Sequence, residues 1–183
     1  MRLVPAALRA TLLALGVPAL SLALPSAGAI TLPATVTRVV DGDTIHASSR
    51  GFDTTVRLLG IDTPETKRPE TVVQCGGPAA SRRAERLLPP GQPVTLVTDP
   101  TQATRDRFGR LLAYVYLPGQ RGPTGSVNYA LVAGGFARVF IFHGVPFRNA
   151  GPFLRAQAAA RRARLGSWGP PCNGNTMKPD PGA

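Results

Sequence analysis

The chain has 183 residues, with 21 Lys or Arg against 10 Asp or Glu, a formal net charge of +11 and 43% hydrophobic residues. That length fits one domain plus appendages rather than several domains, and the cationic excess favours polyanionic partners and steers them in from a distance. Cys75 and Cys172 are the only cysteines, with no Cys-x-x-Cys spacing and with His46 and His143 far from both in sequence, which excludes a zinc or redox motif.

The first 29 residues read as a leader. Arg2 and Arg9 make a positive start, Ala10 to Leu24 is almost wholly apolar, and Ala27-Gly28-Ala29 offers small residues for cleavage. A spanning helix needs about 20 apolar residues. This run is shorter and holds Pro18, so the expectation is export, cleavage near Ala29 and no stable membrane insertion afterwards. An exported chain meets an oxidising compartment. Cys75 and Cys172 then read as one disulfide, joining the segment before the first helix to the C-terminal tail. The mature domain is expected over residues 30–172, followed by a Pro, Gly and Asn-rich tail, 173–183, expected to be disordered.

Ala34 to Val40 and Thr44 to Ser48 flank Asp-Gly-Asp and read as a hairpin, with Thr54 to Ile61 a third strand. Pro78 suits the first turn of a helix in which Ala80, Ala84, Leu87 and Leu88 share a face, leaving Arg82, Arg83 and Arg86 to solvent. Pro93 to Thr98 and Leu111 to Leu117 are a fourth and a fifth strand. Ser126 is placed to cap a helix carrying Val127, Ala130, Leu131 and Gly134 on one face. A last helix from Pro152 to Leu165 ends at Gly166, with Arg155, Arg161, Arg162 and Arg164 read as a solvated face, a non-specific nucleic-acid contact being the alternative. Helices after the third and fifth strands do not suit alternating βαβ units. The pattern predicts an α+β, predominantly β domain: a five-stranded antiparallel barrel of the OB type with three helices.

Three short segments carry the chemistry. In Asp41-Gly42-Asp43-Thr44, a hairpin turn accounts for Asp41 and Gly42 but not for a second acid at Asp43. Two close carboxylates are tolerated more readily with a cation among them. In Arg57-Leu58-Leu59-Gly60-Ile61-Asp62-Thr63-Pro64-Glu65, Arg57 and Asp62 would face opposite ways in a straight strand, unless a bulge at Gly60 re-aims the chain. Asp106-Arg107-Phe108-Gly109-Arg110, taken alone, is a turn with exposed arginines.

In order and spacing these segments resemble the thermonuclease (staphylococcal nuclease-like) family over about Ala34 to Trp168. The resemblance implies the barrel with three helices and a secreted, calcium-dependent, sugar-non-specific nuclease. It would hydrolyse DNA and RNA by in-line attack of water on phosphorus, leaving 3′-phosphate ends. Carried over by position, Asp43, Asp62 and the Thr63 carbonyl are calcium ligands, and Asp41 acts through water. Glu65 orients or deprotonates the attacking water, while Arg57 and Arg110 hold the phosphate and its developing charge. Arg107 and Phe108 stand where the family has lysine and tyrosine, so a hydroxyl contact is lost while charge and ring stacking remain. Between Phe140 and Pro146 the family's base-stacking tyrosines have no clear equivalent. Phe142 and His143 are candidates both for stacking and for ordinary packing or surface roles.

A monomer is expected. Since family members without cysteines fold, the Cys75–Cys172 bridge should reinforce the domain without building the site. The alternative is a non-catalytic single-stranded nucleic-acid-binding module on the same barrel. Retention of Asp43, Asp62, Glu65, Arg57 and Arg110 disfavours it. A secreted cationic surface-binding protein would explain charge and export but not the acid clusters.

Overall fold

The computed structural model describes residues 28–66 and 72–182. The expected leader falls, up to residue 27, outside those described. Among the described residues no helix is long and apolar enough to cross a membrane. The elements in chain order are β1 (Thr31–Val39), β2 (Thr44–Ser49), β3 (Phe52–Leu58), β4 (Ile61–Asp62), α1 (Gly77–Leu87), β5 (Pro93–Val97), β6 (Leu111–Tyr116), α2 (Val127–Ala133), β7 (Arg138–Val139) and α3 (Ala150–Arg162).

Five strands close a barrel in the order β1, β2, β3, β6, β5, with β5 returning to β1. Its pairs are antiparallel except for β3 and β6, which run parallel with Val56 opposite Leu111 and Leu58 opposite Ala113. The barrel is therefore mixed, not purely antiparallel as expected. Directions cannot alternate all the way round a ring with an odd number of strands, so one like-directed pair is unavoidable. β1 carries a register shift between Val36 and Arg38. That bulge lets Val36 and Val39, three apart, both turn inward where strict alternation would bury only one.

The third strand is divided. β3 stops at Leu58, and Gly60, at φ 76°, turns the chain so that β4 leaves the barrel and pairs with β7, Ile61 opposite Val139. A Cβ on Gly60 would lie 2.6 Å from the Phe147 ring, so the turn needs glycine for both its conformation and its space. The expected re-aiming of Asp62 is thus achieved by a turn rather than a bulge.

α1 buries Ala80, Ala84 and the following Leu88 as its periodicity predicts, with Leu87 half-buried. Arg82 and Arg86 are exposed, but Arg83 is not, lying partly under the surface against expectation. Ser126 Oγ accepts the Tyr129 amide at 3.1 Å and caps α2. The buried face of α2 is Val127, Asn128, Leu131 and Val132, rotated from the expected one because Asn128 faces inward. α3 ends earlier than predicted. Arg164, at φ 54°, takes the left-handed position after the helix, and Leu165 N donates to Ala160 O while Arg164 N donates to Arg161 O. This is a Schellman closure with arginine where glycine was expected to act at Gly166.

One continuous core joins the barrel interior (Val36, Ile45, Val56, Leu58, Leu96, Val115) to Ala84 and Leu88, Leu131 and Phe153 from the helices. Phe153 is fully buried and meets Phe147 edge-on at 5.2 Å. The segment 173–182, expected as a disordered tail, is laid back on the domain. Cys172 is bonded to Cys75, and Gln74 pairs with Pro179. The tether at Cys172 keeps the tail close, and hydrogen bonds to Val73, Cys75 and Gly76 then hold it.

Candidate active site

The β1–β2 turn brings Asp41 and Asp43 together. Asp43 N donates to Asp41 Oδ1 at 3.1 Å, and Val40 N donates to Thr44 O at 2.8 Å. Asp43 is buried, 6% exposed, and most of its donors gather on one carboxylate oxygen. Oδ2 accepts the Thr63 amide at 2.8 Å and the Thr63 hydroxyl at 3.0 Å, and Oδ1 accepts the Thr44 hydroxyl at 3.1 Å. Gly42 has to be glycine for this contact, since a Cβ there would lie 2.8 Å from the Thr63 side chain. The segment after β4 is thereby locked onto the hairpin turn. Burial first, and then the neighbouring Asp43 carboxylate, push the Asp41 carboxyl up to about 6.

Arg57 ties the two acidic segments together. Its Nη1 donates to Leu58 O at 3.0 Å and Ile61 O at 2.7 Å, spanning the Gly60 turn. Its Nη2 lies 3.1 Å from Asp43 Oδ2 and 3.0 Å from Asp62 Oδ1. Two carboxylates nineteen residues apart in sequence therefore converge on a single nitrogen. Glu65 follows two residues after Thr63 and is half-buried; its Oε1 accepts the Thr66 amide at 2.9 Å, and its own amide donates to Gln74 Oε1 at 2.9 Å.

Among the described residues no three His, Cys, Asp or Glu side chains gather as a metal cluster. An ion held here would rest on two carboxylates, a backbone carbonyl and solvent or substrate oxygens. The ligand atoms fit a hard cation in kind: all are oxygens, two of the groups are anionic, and the shared contact with Arg57 Nη2 shows that the two carboxylates converge. A hard divalent cation that completes its shell with water or substrate oxygens suits such a partial set.

The third segment is organised by Asp106. Oδ1 accepts the Phe108 and Arg110 amides at 2.9 and 3.0 Å, and Oδ2 accepts Arg110 Nε at 2.7 Å. Partial burial works to raise the Asp106 carboxyl, but these bonds from Arg110 and Phe108 outweigh it and hold the group below the usual carboxylate range. The exposed Phe108 ring has the Arg107 and Arg110 guanidinium carbons 4.7 and 5.4 Å from its centroid. Because Arg57 pairs with Leu112 across parallel strands, Arg110, just ahead of β6, is brought to the strand beside Arg57. A groove of about 480 Å³ runs from the β2–β3 hairpin to this segment, lined among others by Phe52, Arg105, Phe108 and Arg110.

Phe52 and Arg105 line this groove although neither belongs to the three segments that the sequence marks. Phe52 is 79% exposed, and an aromatic beside the Arg50-Gly51 turn was the available signal. Gln74 lies outside those segments too, and no local pattern marks it. Phe142 and His143 stack edge-on at 4.0 Å, with Phe140 6.3 Å from Phe142, all three exposed. Phe140 N donates to Gly60 O at 2.9 Å, which sets this aromatic group beside the Arg57 turn.

Residues 55–170 match the family model described as staphylococcal nuclease homologue. The chain is similar to the SPbeta prophage-derived endonuclease YokF of Bacillus subtilis, 40% identical over 134 residues, which are 73% of this chain and 43% of that protein. It is 38% identical to endonuclease YncB of the same organism, over 73% of this chain and 60% of the relative. With the thermonuclease of Staphylococcus intermedius it shares 38% identity over 135 residues, 73% of this chain and 74% of that protein. The chain thus spans about half the length of the two Bacillus proteins and most of the staphylococcal one.

Proposed function

The chain belongs to the staphylococcal nuclease homologue family, and from that premise we propose that it is a secreted, calcium-dependent nuclease acting on DNA and RNA. The observation that carries this reading is the convergence of Asp43 and Asp62 on Arg57 Nη2, at 3.1 and 3.0 Å. Asp43 and Asp62, with the Thr63 carbonyl, would hold the calcium, and Asp41 would act on it through water. Calcium would supply charge stabilisation for a phosphate oxygen.

The protein's own groups divide the remaining work. Glu65 positions the water or takes its proton from the side opposite the leaving oxygen. Arg57 is fixed by two carbonyls and two carboxylates, so its charge is already in place as negative charge develops on phosphorus. Arg110 is oriented by Asp106 and serves the same phosphate from the neighbouring strand. Phe108, Arg107 and the Phe140–Phe142–His143 group offer rings and charge to the flanking nucleotides. Such contacts read backbone and stacking, so little sequence preference is expected. The Cys75–Cys172 disulfide supports export.

The test is incubation of labelled single-stranded DNA and of RNA with the protein, first with calcium and then with excess chelator. Cleavage of both that stops on chelation and leaves 3′-phosphate ends is the expected result. Binding without cleavage under all metal conditions would instead identify a nucleic-acid-binding module.

A further inference from the structure

Glu65 is held from outside the barrel. Gln74 grips both of its backbone polar groups: the Gln74 carboxamide oxygen accepts the Glu65 amide at 2.9 Å, and the Gln74 amide donates to the Glu65 carbonyl at 2.9 Å. Gly77 packs on the same backbone, where a Cβ would fall 3.0 Å from Glu65 O and 2.6 Å from Thr66 Cγ2. Gln74 is itself fixed by the C-terminal tail. It forms a β-bridge with Pro179, and its Nε2 rests 3.6 Å from Met177 Sδ. Cys75 N donates to Lys178 O at 2.9 Å, Asp180 N donates to Val73 O at 2.8 Å, and Asp180 Oδ2 accepts the Gly76 amide at 2.9 Å. The disulfide from Cys75 to Cys172 closes the array.

We propose that the tail over residues 173–182 is a working part of the candidate active site, and that Gln74 is the positioning residue that carries its order to Glu65. The catalytic consequence rests on the nuclease reading above; the coupling between tail and Glu65 does not. A carboxylate that must address a water in line with a phosphate needs a fixed backbone, because a displacement of about 1 Å can cost on the order of 10²-fold in rate. Val73 O and Cys75 N bond to the tail, Gln74 N to Glu65 and Gln74 O to Gly77 N, and none of these four bonds runs to a barrel strand. Order at Glu65 is thereby supplied by a segment more than a hundred residues away in sequence. The bridge does more, on this view, than reinforce the domain.

A tail that only stabilised the fold would lower the melting temperature and leave room-temperature turnover alone. The test therefore uses the full chain with Gln74→Ala, Gln74→Glu and Asp180→Ala. It reads kcat and KM on a single-stranded DNA oligonucleotide with calcium, and amide exchange at Glu65 by NMR without metal or substrate. Gln74→Ala should lower kcat about tenfold or more with KM within about twofold, and should speed exchange at Glu65. Asp180→Ala should do the same more weakly. Gln74→Glu keeps an acceptor for the Glu65 amide and should restore most of the turnover. Near-normal kcat in Gln74→Ala, or unchanged Glu65 exchange, overturns the proposal. If Gln74→Ala fails to fold, Asp180→Ala decides by the same two readouts. Should the unmutated protein cleave nothing, the nuclease reading fails, and exchange at Glu65 alone still decides whether the tail orders it.

Discussion

Arg57 Nη2 stands 3.1 Å from Asp43 Oδ2 in a pair whose side chains are only 14% and 8% exposed. Each charge is tolerated there largely because of the other. The same guanidinium also holds the Leu58 and Ile61 carbonyls and Asp62, a set of acceptors spread across a plane that an ammonium cannot reproduce. Arg57→Ala should lower kcat/KM by on the order of 10²-fold or more. Arg57→Lys should recover little of it. Steady-state kinetics at saturating calcium read the outcome, and a lysine variant close to full activity would show that charge alone suffices.

Glu65→Gln keeps the size of the side chain and an acceptor for the Thr66 amide, bonded now at 2.9 Å, but loses the negative charge. Turnover should fall by orders of magnitude while substrate affinity barely moves. Single-turnover rates and binding measured separately distinguish the two quantities. Near-full turnover would remove Glu65 from the reaction.

Arg110 and Arg161 test whether cleavage depends on placed charge or on charge in general. Arg110 is fixed at 2.7 Å by Asp106, whereas Arg161 is exposed on the last turn of α3 beside Trp168. Arg110→Ala should cost on the order of 10²-fold in rate, and Arg161→Ala should scarcely matter. Equal small losses at both positions would favour the binding-module reading.

The strands and helices were legible because their signals are local. Alternation marked β5, a continuous apolar run marked β6, Ser126 marked the start of α2, and Asp-Gly marked the β1–β2 hairpin. The parallel β3–β6 pair was not, because it follows from the parity of a closed ring and not from any stretch of residues. In the candidate site the acids and arginines stood out as clusters, yet nothing local says that one Arg57 nitrogen spans two of them. Asn128 was hidden for a different reason. A polar residue on an apolar face breaks the period, but here it is fully buried because it accepts the Val115 amide and donates to the Leu59 and Ala113 carbonyls. Gln74 and Asp180 act across the whole length of the domain, where sequence proximity carries no information.

Asp99 makes the fold itself sensitive to acid. It is 2% exposed, and its carboxylate accepts the Tyr114 hydroxyl at 2.6 Å, the Arg148 amide at 2.7 Å and both the amide and the hydroxyl of Thr101 at 2.9 and 2.7 Å. Burial alone would raise this carboxyl, but the bonds from Tyr114, Thr101 and Arg148 outweigh it and hold the group below its ordinary value. The phenol of Tyr114 is pushed up by its own burial and by the Asp99 carboxylate, so it stays a donor across the accessible range. A carboxyl depressed in the folded state contributes stability that is complete above its unfolded value of about 3.9 and is lost as pH falls through the lower folded value. Asp99→Asn keeps the shape but not the charge. It should cost about 2 kcal/mol or more at pH 7, and it should flatten the decline of stability below about pH 4, where the unmutated protein loses its advantage. Urea midpoints for both proteins from pH 7 down to pH 2.5 read the difference. The gap between them should be widest at neutral pH and close in acid; parallel curves would mean that the Asp99 charge contributes nothing to folding.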